Sequence, residues 1–86
     1  MDIRYVIRFN HDTYWCGYNT ISNSIIKANM YKKKDQAIKW LNNLMFHKNN
    51  YSSLKNLDFA EILKVSVYED TRMAEITILE TISTVC

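Results

Sequence analysis

Cys16 and His11 come closest, in this chain, to a nucleophile and its base: they stand five positions apart across what reads as a hairpin turn. A reactive thiolate needs a base within hydrogen-bond reach and a lowered pKa, usually with an oxyanion site beside it. The residues around Cys16 supply no such pattern, and a lone cysteine in a strand reads as a small core residue. His11, Asp12, Cys16 and His47 are the available metal ligands, but none forms the close pairs by which ligands are usually presented. His47 reads instead as a partner for the carbonyl dipoles at a helix C-terminus. Glu69 and Asp70 fall in a turn, and Glu61, Glu75 and Glu80 read as solvated strand positions. A phosphate-cradling loop needs several glycines, and the chain has one. No catalytic, metal-binding or cofactor-binding residue is assigned, and the expectation is a protein that is not an enzyme and works without a cofactor.

Binding chemistry is better represented. Lys32, Lys33 and Lys34 form a basic cluster that, with Arg4, Arg8, Lys27 and the exposed sides of Trp15 and Tyr18, could make a basic and aromatic surface suited to RNA or single-stranded DNA. The plainer reading of three lysines before a helix is a solvated stretch that keeps a small protein dispersed. If Tyr14 and Cys16 face the helix, alternation puts Trp15 on the opposite face. There it either anchors a protein interface or folds over Val6 and the arms of Arg4 and Arg8. The net charge of +2 is split, residues 1–43 carrying seven Lys/Arg against three Asp/Glu and residues 44–86 four against six. That polarity is neither the strong basic excess of a dedicated nucleic-acid binder nor the acidic excess of a DNA mimic.

The elements that must carry these residues are legible from periodicity. Residues 3–9 alternate, with Ile3, Tyr5, Ile7 and Phe9 apolar and Arg4 and Arg8 between them, which predicts a half-buried strand. After a turn cluster at Asn10 to Thr13, residues 14–18 resume as a second strand, where the lone Gly17 marks a bulge or a positive φ. Residues 25–31 read as a third strand with Ile26, Ala28 and Met30 on one face. Ala37, Ile38, Leu41, Leu44 and Met45 then make the apolar stripe of a helix over 34–48, widened by Trp40. Lys33 leaves its N-cap weak. Residues 51–58 read as an ordered connection; Ser53 could cap a single turn through Leu57, but a helix that short is marginal without tertiary contacts. Residues 62–68 and 74–78 form a closing antiparallel hairpin.

One domain spanning 1–86 follows, since 86 residues rich in aromatic side chains can bury a single core. Its class is α+β: a two-layer β-β-β-α-β-β arrangement in which one helix covers one face of a sheet of about five strands. The other face is expected to lie open to solvent or a partner, presenting Arg4, Val6, Arg8, Trp15 and Lys27. Two cysteines give no disulfide framework, and neither a signal segment nor a membrane span is read, so the setting is expected to be a reducing cytoplasm.

Tyr5-Val6-Ile7, then Tyr14-Trp15-Cys16-Gly17, then Ile26-Lys27-Ala28 with Tyr31, then Asp35-Gln36-Ala37 with Leu41, together resemble a pattern found in small phage and prophage proteins of AT-rich Gram-positive hosts. The likeness spans residues 3–67. It departs at Lys33, where those proteins place Ser or Thr, and the last strand has no counterpart in it. The resemblance implies an accessory protein that acts stoichiometrically by occluding a host protein, in some cases a CRISPR nuclease, in the cytoplasm of an infected or lysogenic cell. No functional residue carries over from it. Arg4, Arg8, Trp15, Tyr18 and Lys27 are the expected surface for a host protein. With Lys32, Lys33 and Lys34 they are the alternative surface for nucleic acid. A homodimer through a sheet edge is a further open arrangement.

Overall fold

The computed structural model describes residues 2–17, 19–54, 57, 59–70 and 73–85. Five strands, β1 (Asp2–Phe9), β2 (Thr13–Gly17), β3 (Thr20–Ser22), β4 (Ala60–Asp70) and β5 (Met73–Val85), form one antiparallel sheet in the order β3-β2-β1-β4-β5. A single α-helix, α1 (Lys34–Phe46), lies on one face and packs against β1 and β4. The two-layer α+β class is therefore as expected. No helix among the described residues is long and apolar enough to cross a membrane.

The β1–β2 turn sets the phase of everything that follows. Asn10 and His11 take positive φ (54° and 66°), a conformation that short polar side chains tolerate, and Asp12 N–H donates to the Phe9 carbonyl. This turn pairs Phe9 with Thr13 and Arg8 with Tyr14. Residues 13 and 15 therefore join Tyr5, Ile7 and Phe9 on the helix face. Trp15, expected on the open face, is instead buried to 4% exposure in the core beneath α1, and Tyr14 lies on the opposite face. The alternation was right and its phase was inverted, because a shift of one residue in pairing turns every side chain of a strand over.

Helix α1 buries Ala37, Leu41 and Leu44 against Ile7, Phe9, Ala60 and Ile62. Lys33 occupies the N-cap without a side-chain cap bond. The helix stops at Phe46, two residues before the expected end, and Lys48 belongs to a following 3-10 turn, Lys48–Asn50. A second short turn, Ser52–Leu54, drives Leu54 fully into the core, and Leu57 N–H donates to the Leu54 carbonyl. The remainder of the expected turn, at residues 55, 56 and 58, lies outside the described residues.

The third strand is not where the alternation of 25–31 put it. Gly17 (φ 87°) and Asn19 (φ 57°) turn the chain tightly enough for Thr20–Ser22 to pair with β2, with a register shift between Trp15 and Gly17 that is the expected bulge. Ile25–Lys27 is a 3-10 turn, and beyond it the chain enters the fork where β1 and β2 separate: Asn29 N–H donates to Trp15 O, and Tyr31 exchanges two backbone bonds with Tyr5. The short edge strand was hidden because three mostly polar residues carry little periodicity. The far face of the sheet is not left open either. Ile25, Ala28 and Met30 pack over Val6, Tyr14, Leu63 and Val65, forming a second, smaller core opposite the helix.

Strands β4 and β5 form the expected hairpin but run longer, 60–70 and 73–85, and their turn at 71 and 72 lies outside the described residues. Two irregularities in the pairing each insert one residue of β5: Ile62 pairs with Ser83 and Leu63 with Thr81, and Lys64 pairs with Glu80 and Val65 with Ile78. Ile82 and Leu79 are the extra residues. These bulges break the two-residue period, so the second half of β5 does not read as a strand from its sequence.

Candidate functional site

The residues expected to form one surface are distributed over several. Arg4 and Arg8 do point to the face away from α1, but both are engaged. Arg4 Nη1 donates to the Ile3 carbonyl at 2.9 Å and its Nη2 lies 3.8 Å from Asp2. Arg8 forms a forked ion pair with buried Glu61, its Nε 2.5 Å from Oε1 and an Nη on the same oxygen. Burial opposes the Arg8 charge, and hydrogen bonds to Tyr14 and Glu61 more than offset it, holding the guanidinium pKa above its ordinary value. Lys27 is exposed on the turn laid over that face, and Lys32, Lys33 and Lys34 are exposed at the start of α1. Tyr18 lies outside the described residues. Trp15, buried under the helix, belongs to none of these exposed groups.

The chemistry expected to be absent around Cys16 can be placed residue by residue. Its thiol donates toward the Tyr14 carbonyl at 3.5 Å, and burial raises its pKa against the opposing pull of Lys27. His11 is held elsewhere, with Nδ1 3.4 Å from Glu61 Oε1 and its ring 4.5 Å from that of Phe59. Cys16 lies three residues, about 10 Å, along β2 from the turn that carries His11. His47 stacks edge-on against Phe46 at the other end of α1. Among the described residues, no group of three or more His, Cys, Asp and Glu is placed to hold a metal ion.

Two adjoining depressions lie between α1 and the β2 end of the sheet, of about 480 and about 400 Å³, and Tyr31 and Trp40 line both. Trp15, Gly17, Asn29 and Tyr51 complete the first, with Cys16 and Asn19 at its rim, and Gln36, Lys39 and Asn43 complete the second. Trp15 meets Tyr51 edge to face, centroids 5.6 Å apart, so this wall is a fixed aromatic pair. The Tyr31 hydroxyl accepts a hydrogen bond from Asn29 Nδ2 at 3.3 Å, and burial raises its pKa against the opposing influence of its polar neighbours Asn29 and Trp15. Trp40, by contrast, is 46% exposed. It was read as widening the core stripe, yet it stands beside that stripe. Gln36, Trp40 and Asn43, at spacings of four and three, share a helix face that points to the depressions. That spacing was the available signal.

The sheet offers a second feature at its other side. β5 is an edge strand of 13 residues, against 3 for β3 at the opposite edge. It exposes Ile78 (44%) and Leu79 (48%), and Tyr68 on β4 is exposed beside it. Residues 60–85 contain five Asp/Glu and two Lys/Arg, and one of those acids, Glu61, is neutralised by Arg8. The edge is therefore apolar at Ile78 and Leu79, within a segment whose sequence carries more acid than base. Compared with known proteins, the chain matches no family model, no curated protein and no solved structure.

Proposed function

We propose that this is a non-catalytic, phage-derived protein that acts in the cytoplasm of a bacterial host by binding a host protein through the exposed edge of β5 and thereby blocking it. The observation that supports this reading is the long unpaired edge itself. A strand edge presents a row of N–H and C=O groups on which another chain can pair, and side chains such as Ile78 and Leu79 add affinity. Soluble proteins usually protect such an edge with lysine, proline, shortness or bulges; β5 carries two bulges but no lysine or proline over its 13 residues. The acidic balance of the sequence from 60 to 85 favours a partner with a basic surface, as enzymes that handle nucleic acid have, and a defence nuclease is one such target. The surface differs from the one expected at Arg4, Arg8 and Trp15, since Arg8 is neutralised and Trp15 is buried.

The test is capture from a Gram-positive host lysate, followed by reconstitution with the purified partner. A one-to-one complex with loss of the partner's activity is expected, and the double substitution I78D/L79D weakens it at least tenfold with an unchanged melting temperature, because both side chains are exposed. The reading fails if the double variant inhibits as well as the parent. It fails equally if sedimentation shows β5 occupied by a second copy at working concentrations.

A further inference from the structure

The depressions between α1 and β2 carry an independent inference. Trp40, 46% exposed, stands beside a wall formed by Trp15, Tyr31 and Tyr51, and the two compartments form one groove half open to solvent. Flat rings with nearby amides suit a planar heterocycle, whose faces stack and whose edge forms hydrogen bonds. The Tyr31 hydroxyl already receives the Asn29 amide N–H, and its own proton remains to be offered to an acceptor such as a base carbonyl. No Asp or Glu lines either compartment, Lys39 lines the second, and residues 32–39 hold four lysines against one acid. That charge disfavours a cationic ligand in the aromatic walls and favours a phosphate chain running past them. We infer that this groove binds single-stranded nucleic acid, with one unpaired base stacked on Trp40 and its acceptor edge on the Tyr31 hydroxyl.

Fluorescence titration of the full chain with an eight-nucleotide single strand, at several salt concentrations, tests this. Binding is expected to fall with salt, with a slope of about −2 on logarithmic axes if three phosphates are contacted. W40A weakens binding about tenfold or more, and W40F retains most of it. Y31F weakens binding to bases that present a carbonyl by more than any loss of stability accounts for, and W40F melts with the parent. Duplex DNA of the same length, whose bases are not available to stack, binds at least tenfold more weakly. The inference is overturned if the parent chain does not bind at low salt, if W40A binds as tightly as the parent, if duplex or a lone mononucleotide binds as well as the strand, or if affinity is independent of salt. None of these readouts involves β5, so either proposal can fail without the other.

Discussion

Arg8 and Glu61 form the one ion pair among the described residues in which both side chains are largely removed from water, at 16% and 5% exposure. Attraction between such groups is offset by the cost of desolvating them, so the pair matters most through what its disruption leaves behind. Arg8→Ala leaves the buried Glu61 carboxylate with His11 Nδ1, 3.4 Å away, as its remaining ionic neighbour and is expected to cost about 3 kcal/mol in urea unfolding. At this chain length that corresponds to a fall of more than about 10 °C in melting temperature. Replacing both residues with Met recovers more than half of the loss, which separates the cost of a stranded charge from the net value of the pair. Cys16 gives a second test at the same scale. Burial raises its thiol pKa, so less thiolate exists near neutral pH than for a free cysteine. Alkylation in a C86S background should therefore be slow at pH 7 and accelerate as pH rises through the elevated pKa. Lys27 lowers that pKa, so Lys27→Ala should slow the reaction further at fixed pH. Rapid alkylation at neutral pH contradicts this placement of the thiol.

The elements were legible in kind and less so in phase. Strand β1, helix α1 and the final hairpin follow from periods of two and 3.6 residues, and Gly17 marked its bulge because only glycine adopts φ 87° without strain. The groove was not legible, because Trp15 changes face with the length of the preceding turn. Trp40 reads as core until the stripe it borders is known to end at Leu41 and Leu44. The second half of β5 escaped because Leu79 and Ile82 are inserted residues. Two predictions belong here. A Cβ on Gly17 would meet Asn29 Nδ2 at an ordinary 3.6 Å, so space is available and the cost of Gly17→Ala is conformational, about 1–2 kcal/mol. Gly17→Asn, better suited to positive φ, costs less than Gly17→Ala in the same urea titration. At the N-cap of α1, Lys33 already has the extended backbone of a capping residue (φ −123°, ψ 141°) but offers no acceptor. Lys33→Asp supplies one and removes a charge that opposes the helix dipole, and should stabilise the fold by about 1 kcal/mol. The same change weakens oligonucleotide binding if the groove faces phosphate, so stability and affinity move in opposite directions.

Across the whole molecule the sheet separates the charges that the chain order had already divided. The N-terminal half, net positive, supplies β3, β2 and the start of α1, and the acidic hairpin supplies β4 and β5 at the other side. Strands β2 and β5 are separated by β1 and β4, three inter-strand spacings or about 14 Å. Substitutions that far apart, with no shared partners, are usually additive to within about 0.5 kcal/mol. Binding at the groove and binding at the β5 edge should therefore be separable. I78D/L79D is expected to leave single-strand affinity within about twofold of the parent, W40A to leave inhibition of the protein partner equally unchanged, and the combined variant to lose both. A different outcome is expected if the target is a nucleoprotein complex. The β5 edge would then rest on the protein while the groove holds an exposed strand of its nucleic acid, and the linked contacts would raise the overall affinity well above that of either alone. Titration of the partner with and without its nucleic acid distinguishes the cases. In the linked case W40A weakens only the loaded complex, whereas I78D/L79D weakens both forms.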